Sequence, residues 1–184
     1  MAILNQGLLQ LYMGSGKGKT TAALGLTWRM LGRGGHVYFC QFLKPADQPT
    51  GESLFAQHLA GRLTFERLTE PWDMRKASTD QDQHRRMADA IAAKLDHVAH
   101  VLRAGQYDLV VLDEILYCLN FGLVDTAALA KVLDARGPRT ELVLTGCDAP
   151  DDLVRRADLV TRMQEVKHPF SGEAGIGARP GIEY

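Results

Sequence analysis

A short glycine-rich stretch between an apolar run and an amphipathic segment constrains this chain more than any other feature. The stretch, residues 13–21, reads Met-Gly-Ser-Gly-Lys-Gly-Lys-Thr-Thr. Residues 8–12 before it form a short, mostly apolar run that predicts a buried strand. The apolar residues of 22–31 after it recur at helical spacing. A strand, a glycine-rich loop and a helix in this order are typical of a phosphate-binding loop.

The chemistry of residues 13–21, from here on the phosphate loop, explains this interpretation. Glycines let several backbone N–H groups point at one anion, and the start of the following helix adds its own N–H groups and its dipole. Lys19 supplies positive charge for the terminal phosphates, and Thr20 offers a hydroxyl to magnesium. Only Ser15 to Lys17 separate Gly14 from Gly18, so the loop is one residue shorter than the common form. A ligand-free turn is disfavoured, because Gly-Lys-Thr-Thr coincides with the predicted helix start.

A pair of acids supplies the second half of a nucleotide site. Residues 107–112 are largely apolar and predict a strand in the centre of a sheet, and Asp113 and Glu114 follow it directly. One carboxylate can hold magnesium, directly or through water, and the other can orient a water or a partner group. Acid pairs after apolar runs are common by chance. The phosphate loop upstream makes this pair a strong signal.

Strands and helices alternate along the rest of the chain. Asp125 is the predicted cap of one helix. The remaining strands are predicted at 36–43, 63–68, 141–146 and 159–166, and the remaining helices at 52–59, 79–104, 115–121 and 150–157. This alternation predicts an α/β fold with a parallel sheet, of the RecA-like P-loop NTPase class, with residues 1–184 forming a single domain.

Three features of the predicted loops leave alternatives open. Lys44 follows the second strand, where ligands gather in parallel sheets, and is a phosphate or substrate contact or else a solvated lysine. Trp72 lies in an irregular polar segment and is a packed anchor or a ligand platform. The glycine-rich tail, residues 167–184, either closes over a ligand or frays.

Composition narrows the class of protein and its partners. The 184 residues carry a net charge of −1, which argues against a broad nucleic-acid-binding surface. No apolar run approaches the roughly 20 residues of a membrane helix, and residues 1–6 do not resemble a signal peptide. The three cysteines, Cys40, Cys118 and Cys147, form no Cys-x-x-Cys pair and fit a reducing cytoplasm. We therefore expect a cytoplasmic protein without nucleic-acid or membrane partners.

The motifs taken together resemble those of the ATP:corrinoid adenosyltransferases that have a phosphate-binding loop. The likeness covers nearly the whole chain and includes the shortened glycine spacing of the phosphate loop. Its other matching segments are 41–44, 109–114 with Tyr117, 144–146, 157–160, 166–170 and 181–184. The last two segments are the most specific of these.

This resemblance implies a particular reaction: a corrinoid cobalt in the Co(I) state attacks the 5′ carbon of ATP, and triphosphate leaves. It implies ATP as co-substrate, Mg²⁺ with Mn²⁺ as an alternative ion, a corrinoid substrate, a homodimer and a flavoprotein reductant. The implied catalytic residues are Lys19, Thr20 and Glu114. The implied ATP contacts are Gly14, Ser15, Gly16, Lys17, Gly18, Lys19, Thr20, Thr21, Arg29 and His168. The implied metal site is Thr20, Asp113 and Glu114, and the implied corrinoid contacts are Trp72 and Lys44.

Three positions depart from the family pattern. Glu70 stands where the family has an aromatic residue, so the pocket for the lower corrin face is built differently or the corrinoid is handled differently. Cys147 replaces an arginine that contacts phosphate, and Ser15 replaces an asparagine. Two alternatives follow: a small-molecule kinase or ATPase, and a non-catalytic paralogue that binds nucleotide and corrinoid.

Overall fold

Six strands form one sheet, and their order along the chain alternates with helices. The computed structural model of the protein describes residues 3–44, 49–59, 61–77, 79–168 and 175–184. The elements are β1 (Leu9–Met13), α1 (Lys19–Gly32), β2 (Val37–Gln41), α2 (Gly51–Ala56), β3 (Leu63–Arg67), α3 (Gln81–Ala104), β4 (Leu109–Asp113), α4 (Ile115–Asn120), α5 (Thr126–Asp134), β5 (Glu141–Thr145), α6 (Asp151–Arg156) and β6 (Leu159–Arg162).

The strand order is β3-β2-β4-β5-β1-β6, and every neighbouring pair is parallel. All residues of β2, β4 and β5 are buried. Burial on both faces explains why these strands are almost continuously apolar. Because the strands are parallel, the segments that follow β1, β2 and β4 meet at one edge of the sheet. The predicted α/β class with a parallel sheet is therefore confirmed.

Separate apolar clusters cover the two faces of the sheet. On one face, α1 packs its Ala23 and Met30 with Phe39 of β2. On the other face lie α3 and the three shorter helices that follow it. The buried stripe of α3 is the predicted one: Met87, Ile91, Leu95, Val98 and Leu102. Across the described ranges, no helix combines the length and the apolarity that a membrane crossing requires.

Several elements end at different residues from those predicted, and the strand partners explain two of the differences. The sixth strand was predicted to reach residue 166 but ends at Arg162, which pairs with Met13, the last residue of β1. Beyond it, Met163 turns to the phosphate loop, where its carbonyl accepts a hydrogen bond from Gly16 N at 2.8 Å. The second strand likewise ends at Gln41, which pairs with Arg67 and Asp113, the last residues of β3 and β4, and two residues later Leu43 adopts a left-handed conformation, with φ 53°.

Candidate active site

The phosphate loop is held in place by backbone hydrogen bonds to two neighbouring segments. Gly14 N donates to Cys147 O at 2.6 Å, after β5, and Gly16 N donates to Met163 O at 2.8 Å, after β6. A Cβ at Gly14 would lie 2.3 Å from Met163 O, and Gly14 has a φ of 111°. A side chain at either glycine would therefore push the loop away from β6.

Lys19 is buried and curls back into the phosphate loop. Its Nζ donates to Gly14 O and to Gly16 O, both at 2.8 Å. An ammonium group has three N–H donors, so one remains for a ligand oxygen. These contacts place a fixed positive charge at the centre of the loop.

The start of α1 completes an anion-binding cradle. Gly18 is its N-cap, with a φ of 109°, and no side chain caps the helix. No acidic residue lies in the first turn. The first N–H groups of a helix lack partners within the helix, and the helix dipole favours an anion there. Lys19 and these N–H groups can therefore hold phosphate oxygens.

Asp113 is buried at the end of β4 and organises the polar groups around it. Its Oδ1 accepts hydrogen bonds from Thr20 Oγ1 at 2.9 Å and Thr145 Oγ1 at 2.7 Å, and its Oδ2 accepts one from Gln41 Nε2 at 3.3 Å. Burial raises the pKa of Asp113, while Thr145 lowers it by its hydrogen bond. Since the Thr20 hydroxyl donates to Asp113, its oxygen lone pairs are available to a cation.

Glu114 occupies a left-handed conformation immediately after β4, with φ 69°. Its backbone N–H donates to Thr145 Oγ1 at 2.9 Å, which holds the residue in this unusual conformation. Burial and the neighbouring Asp113 raise the pKa of Glu114 to about 7, although Lys44 and Lys19 oppose the shift. A bound cation would offset both causes and favour the carboxylate form.

The donor set fits magnesium better than a metal that needs a full protein cage. No group of three or more His, Cys, Asp or Glu side chains within the described ranges could hold a metal ion. Magnesium instead is held by one or two carboxylates together with phosphate oxygens and waters. Thr20 and Glu114 supply oxygen atoms, and the buried Gln41 Oε1 has no hydrogen-bond partner among the described residues.

A cavity of about 550 Å³, called here the loop cavity, opens beside the phosphate loop. Charged and hydroxyl side chains line one part of it, including the predicted residues Lys17, Lys19, Thr20, Thr21, Lys44 and Glu114. Apolar side chains line another part: Leu24, Trp28, Leu31, Phe39, Phe55 and Phe65. Trp28 and Phe55 form a tilted aromatic pair, with ring centroids 5.7 Å apart. The loop cavity can thus take a ligand with a polyanionic end and an apolar end.

The end of the C-terminal tail borders the loop cavity. Residues 181–184 line it. Lys17 Nζ donates to Ile182 O at 3.4 Å and lies 3.7 Å from Glu183 Oε1. Arg179 forms an ion pair with Glu183, and this pairing lowers the pKa of Glu183 to about 2. Residues 169–174 of the predicted closing tail lie outside the described residues.

Three predicted ligand contacts lie elsewhere. Among the described residues, Arg29, His168 and Trp72 lie outside the phosphate loop and do not line the loop cavity; the predicted site residues Gly14, Ser15, Gly16 and Asp113 do not line it either. Trp72 packs against the other face of the sheet, with its ring centroid 5.8 Å from that of Phe121. Glu70, two residues before it, pairs with Arg86 of α3 at 3.1 Å. Contacts of Arg29, His168 and Trp72 with ligands therefore stay predictions.

No role was predicted for Gln41, Glu52 or Thr145, although segments 41–44 and 144–146 carry part of the family resemblance, and all three residues belong to the site. Glu52 lines the loop cavity, and Gln41 and Thr145 bond to Asp113. Gln41 and Thr145 are each the last residue of a parallel strand. A polar residue at that position was the available signal, since the carboxyl ends of parallel strands surround the ligand site.

Comparison with known proteins places the chain among relatives of similar length. It is 35% identical to a corrinoid adenosyltransferase from Sinorhizobium sp over 97% of this chain and 81% of the relative. It is 34% identical to one from Pseudomonas aeruginosa, over 97% and 84%. It is 30% identical to corrinoid adenosyltransferase CobA from Salmonella typhimurium, over 97% and 86%. A family model matches residues 5–184, and the chain therefore belongs to the ATP:corrinoid adenosyltransferase family BtuR/CobO/CobP.

Proposed function

We propose that this protein transfers the 5′-deoxyadenosyl group of ATP to the Co(I) of a corrinoid, in adenosylcobalamin synthesis or salvage. The cobalt supplies the electron pair of the new Co–C bond and is oxidised from Co(I) to Co(III). The bond between C5′ and the phosphate oxygen breaks, and triphosphate leaves with that bond's electrons. The observation that carries this proposal is the phosphate loop, with Lys19 at its centre, opening into a cavity that is partly apolar.

In this reaction the phosphate loop serves the leaving group. Negative charge develops on the triphosphate as the C–O bond breaks, and the donors fixed around it stabilise that charge. Lys19 and the N–H groups at the start of α1 are positioned before the reaction begins, so little reorganisation is needed. Lys17, exposed at the rim of the loop, adds positive charge where the triphosphate leaves.

Magnesium would be held by Thr20 and Glu114, and Mn²⁺ is an alternative ion. When bound, the ion neutralises phosphate charge and so makes triphosphate a better leaving group. Asp113 orients the Thr20 hydroxyl through its hydrogen bond at 2.9 Å. The pKa of Glu114 is raised to about 7, and a cation beside this side chain would lower the pKa and favour the carboxylate that binds it.

The corrinoid contacts are proposed at Lys44 and Trp72. Lys44 lines the loop cavity, close enough to Glu114 to lower that residue's pKa. Trp72 contributes from the opposite side of the sheet. Because Glu70 is paired with Arg86, its carboxylate is directed to α3, which supports a lower-face pocket that does not use this position.

A homodimer, a flavoprotein reductant and a cytoplasmic location complete the proposal. Exposed apolar side chains on α1 and α2, Trp28, Leu54 and Phe55, support a subunit contact on that face. Cys40, Cys118 and Cys147 are free thiols, which supports a reducing compartment. Sedimentation of the purified protein would separate monomer from dimer.

The deciding experiment is anaerobic. The protein is mixed with ATP, magnesium and chemically reduced cobalamin or cobinamide, and the corrinoid absorption spectrum is followed while triphosphate is assayed. A light-sensitive Co–C product with one triphosphate per corrinoid is the expected result. Binding of both substrates without product would indicate the non-catalytic paralogue. ADP release that does not depend on corrinoid would indicate a kinase or ATPase.

A further inference from the structure

A series of hydrogen bonds, called here the relay, links the loop cavity to the buried acid of the nucleotide site. Gln41, the last residue of β2, is fully buried. Its Nε2 donates to Glu52 Oε1 at 2.8 Å and to Asp113 Oδ2 at 3.3 Å. A carboxylate can only accept, so the amide nitrogen must be the atom that faces both acids. The orientation of the Gln41 amide therefore follows from its two neighbours.

Glu52 lies at one end of the relay, and the first turn of α2 holds it there. Thr50 caps the helix in a reciprocal arrangement with Ser53: Ser53 N donates to Thr50 Oγ1 at 3.3 Å, and Thr50 N donates to Ser53 Oγ at 3.0 Å. Such a capping box fixes the first turn of a helix. Glu52 lies in that turn and also lines the loop cavity. Its carboxylate is therefore presented to Gln41 from a fixed position.

The other end of the relay sets the orientation of the Thr20 hydroxyl. Gln41 occupies Oδ2 of Asp113, while Thr20 and Thr145 share Oδ1. With both oxygens bonded, the Asp113 carboxylate has one orientation, and that orientation sets the direction of the Thr20 hydroxyl. Gln41 Oε1 is buried and has no hydrogen-bond partner among the described residues. A buried acceptor of this kind costs free energy until a donor reaches it.

We propose that Glu52 is a positioning residue that acts through Gln41 on Asp113 and Thr20, and that Gln41 Oε1 accepts a hydrogen bond from a water of nucleotide-bound magnesium. The inference rests on the proposed binding of magnesium and ATP. Glu52 acts here by accepting one hydrogen bond. Its negative charge is not needed, and this separates the relay from direct binding of the metal by Glu52.

The test measures ATP affinity by calorimetry, with and without magnesium, for the wild-type protein and for Glu52→Ala and Glu52→Gln. Glu52→Ala is expected to weaken ATP binding with magnesium about tenfold, the upper end of the range for one lost hydrogen bond, and to leave magnesium-free binding unchanged. Glu52→Gln keeps an acceptor for Gln41 and is expected to stay within about threefold of wild type. Glu165→Ala, at an exposed carboxylate outside the loop cavity, is the matched control.

A double-mutant cycle tests the connection itself. Gln41→Met removes the amide at similar volume and is expected to reproduce the loss seen in Glu52→Ala. Combining the two substitutions is expected to add little to the loss of ATP affinity, because both interrupt the same relay. If Gln41→Met does not fold, the comparison of Glu52→Ala with Glu52→Gln still decides.

Several outcomes would overturn the relay. Two of these concern the size of the loss: ATP affinity falls equally in Glu52→Ala and Glu52→Gln, or it does not fall in Glu52→Ala. The other two concern magnesium: Glu52→Ala loses as much ATP affinity without magnesium as with it, or the ATP affinity of the wild-type protein does not depend on magnesium. Failure of the transferase proposal is distinguishable, because it would appear as magnesium-dependent ATP binding without a Co–C product.

Discussion

At the scale of single residues, groups of opposite charge lie close together in the site. Lys19 donates hydrogen bonds to two carbonyls of the phosphate loop, and the buried Asp113 and the half-buried Glu114 lie in the same region. Buried charges without ligands are costly, and such groups shift their pKa values in response. A magnesium-bound triphosphate would therefore offset part of the cost of burying these charges.

Lys19 should be required for binding the triphosphate. Lys19→Met removes the charge at the centre of the phosphate loop, and we expect ATP affinity to fall by about 10- to 100-fold, the scale of a lost hydrogen bond to a charged group. Calorimetry with ATP and with inorganic triphosphate measures the effect. Lys131→Met, on the exposed side of α5, is the matched control. ATP affinity close to wild type in Lys19→Met would contradict the assignment.

Glu114 should make the ligand-free protein less stable as pH rises. Its pKa in the folded state is about 7, against an ordinary value of 4.5. Between these values the folded state binds more protons than the unfolded state, so the free energy of unfolding falls as pH increases from about 4.5 to 7. Below this window the contribution is absent, and above it the penalty is complete.

Glu114→Gln, which imitates the protonated acid, tests this linkage. We expect the variant to be more stable than wild type by about 1–3 kcal/mol at pH 8 and equal to it near pH 4.5. Denaturant unfolding at a series of pH values measures the difference, with the exposed Glu165→Gln as control. A difference that is the same at all pH values would rule out the raised pKa as its cause.

At the scale of elements, β6 supports the phosphate loop through its backbone. Gly16→Ala would place a Cβ 2.8 Å from backbone atoms of Met163 and Gln164. We expect it to destabilise the protein by about 1–3 kcal/mol, as overpacking does, and to weaken ATP binding as well. Thermal unfolding and calorimetry measure the two effects.

Gly25 provides the matched comparison for that substitution. It lies within α1, and a Cβ there would meet nothing within 4 Å. Gly25→Ala should therefore stabilise the protein by about 0.5–1 kcal/mol through helix propensity alone. Equal effects of the two alanine substitutions would mean that the contact of the phosphate loop with β6 is unimportant.

Local patterns predicted the order of elements and the residues of the phosphate loop, because apolar periodicity and glycine spacing are properties of neighbouring residues. The ends of β2 and β6 were not predictable from such patterns, since they depend on where the partner strands stop. The hydrogen-bonded relay from Glu52 through Gln41 to Asp113 was not predictable either. It joins residues that are 11 and 72 positions apart, and only the packing of α2 and β4 beside β2 brings them together.

At the scale of the whole molecule, the C-terminal tail connects the end of the chain to its beginning. Residues 181–184 border the loop cavity beside Lys17, whose ion pair with Glu183 is partly exposed. Exposed pairs contribute little by themselves. The expected effect of the tail is therefore to restrict the opening of the cavity, more than to stabilise the fold.

Removing residues 181–184 should accelerate ATP dissociation by roughly three- to tenfold, corresponding to one or two lost hydrogen bonds, with little change in the unfolding temperature. Stopped-flow displacement of a fluorescent ATP analogue measures the rate. Glu183→Gln, which removes the charge of Glu183 but keeps residues 181–184, should change the dissociation rate by no more than about twofold. Unchanged dissociation after the deletion would show that the tail does not cover the cavity.

The two tryptophans lie on opposite faces of the sheet, Trp28 with its ring largely exposed at the loop cavity and Trp72 packed beside Phe121 with its indole nitrogen buried. The protein therefore contains two intrinsic fluorescent reporters in different surroundings, one exposed to solvent and one packed in the interior. Trp28→Phe and Trp72→Phe would each leave a single emitter. Fluorescence would then report separately on the loop cavity and on the surroundings of Trp72 as nucleotide and corrinoid are added in turn, without any label.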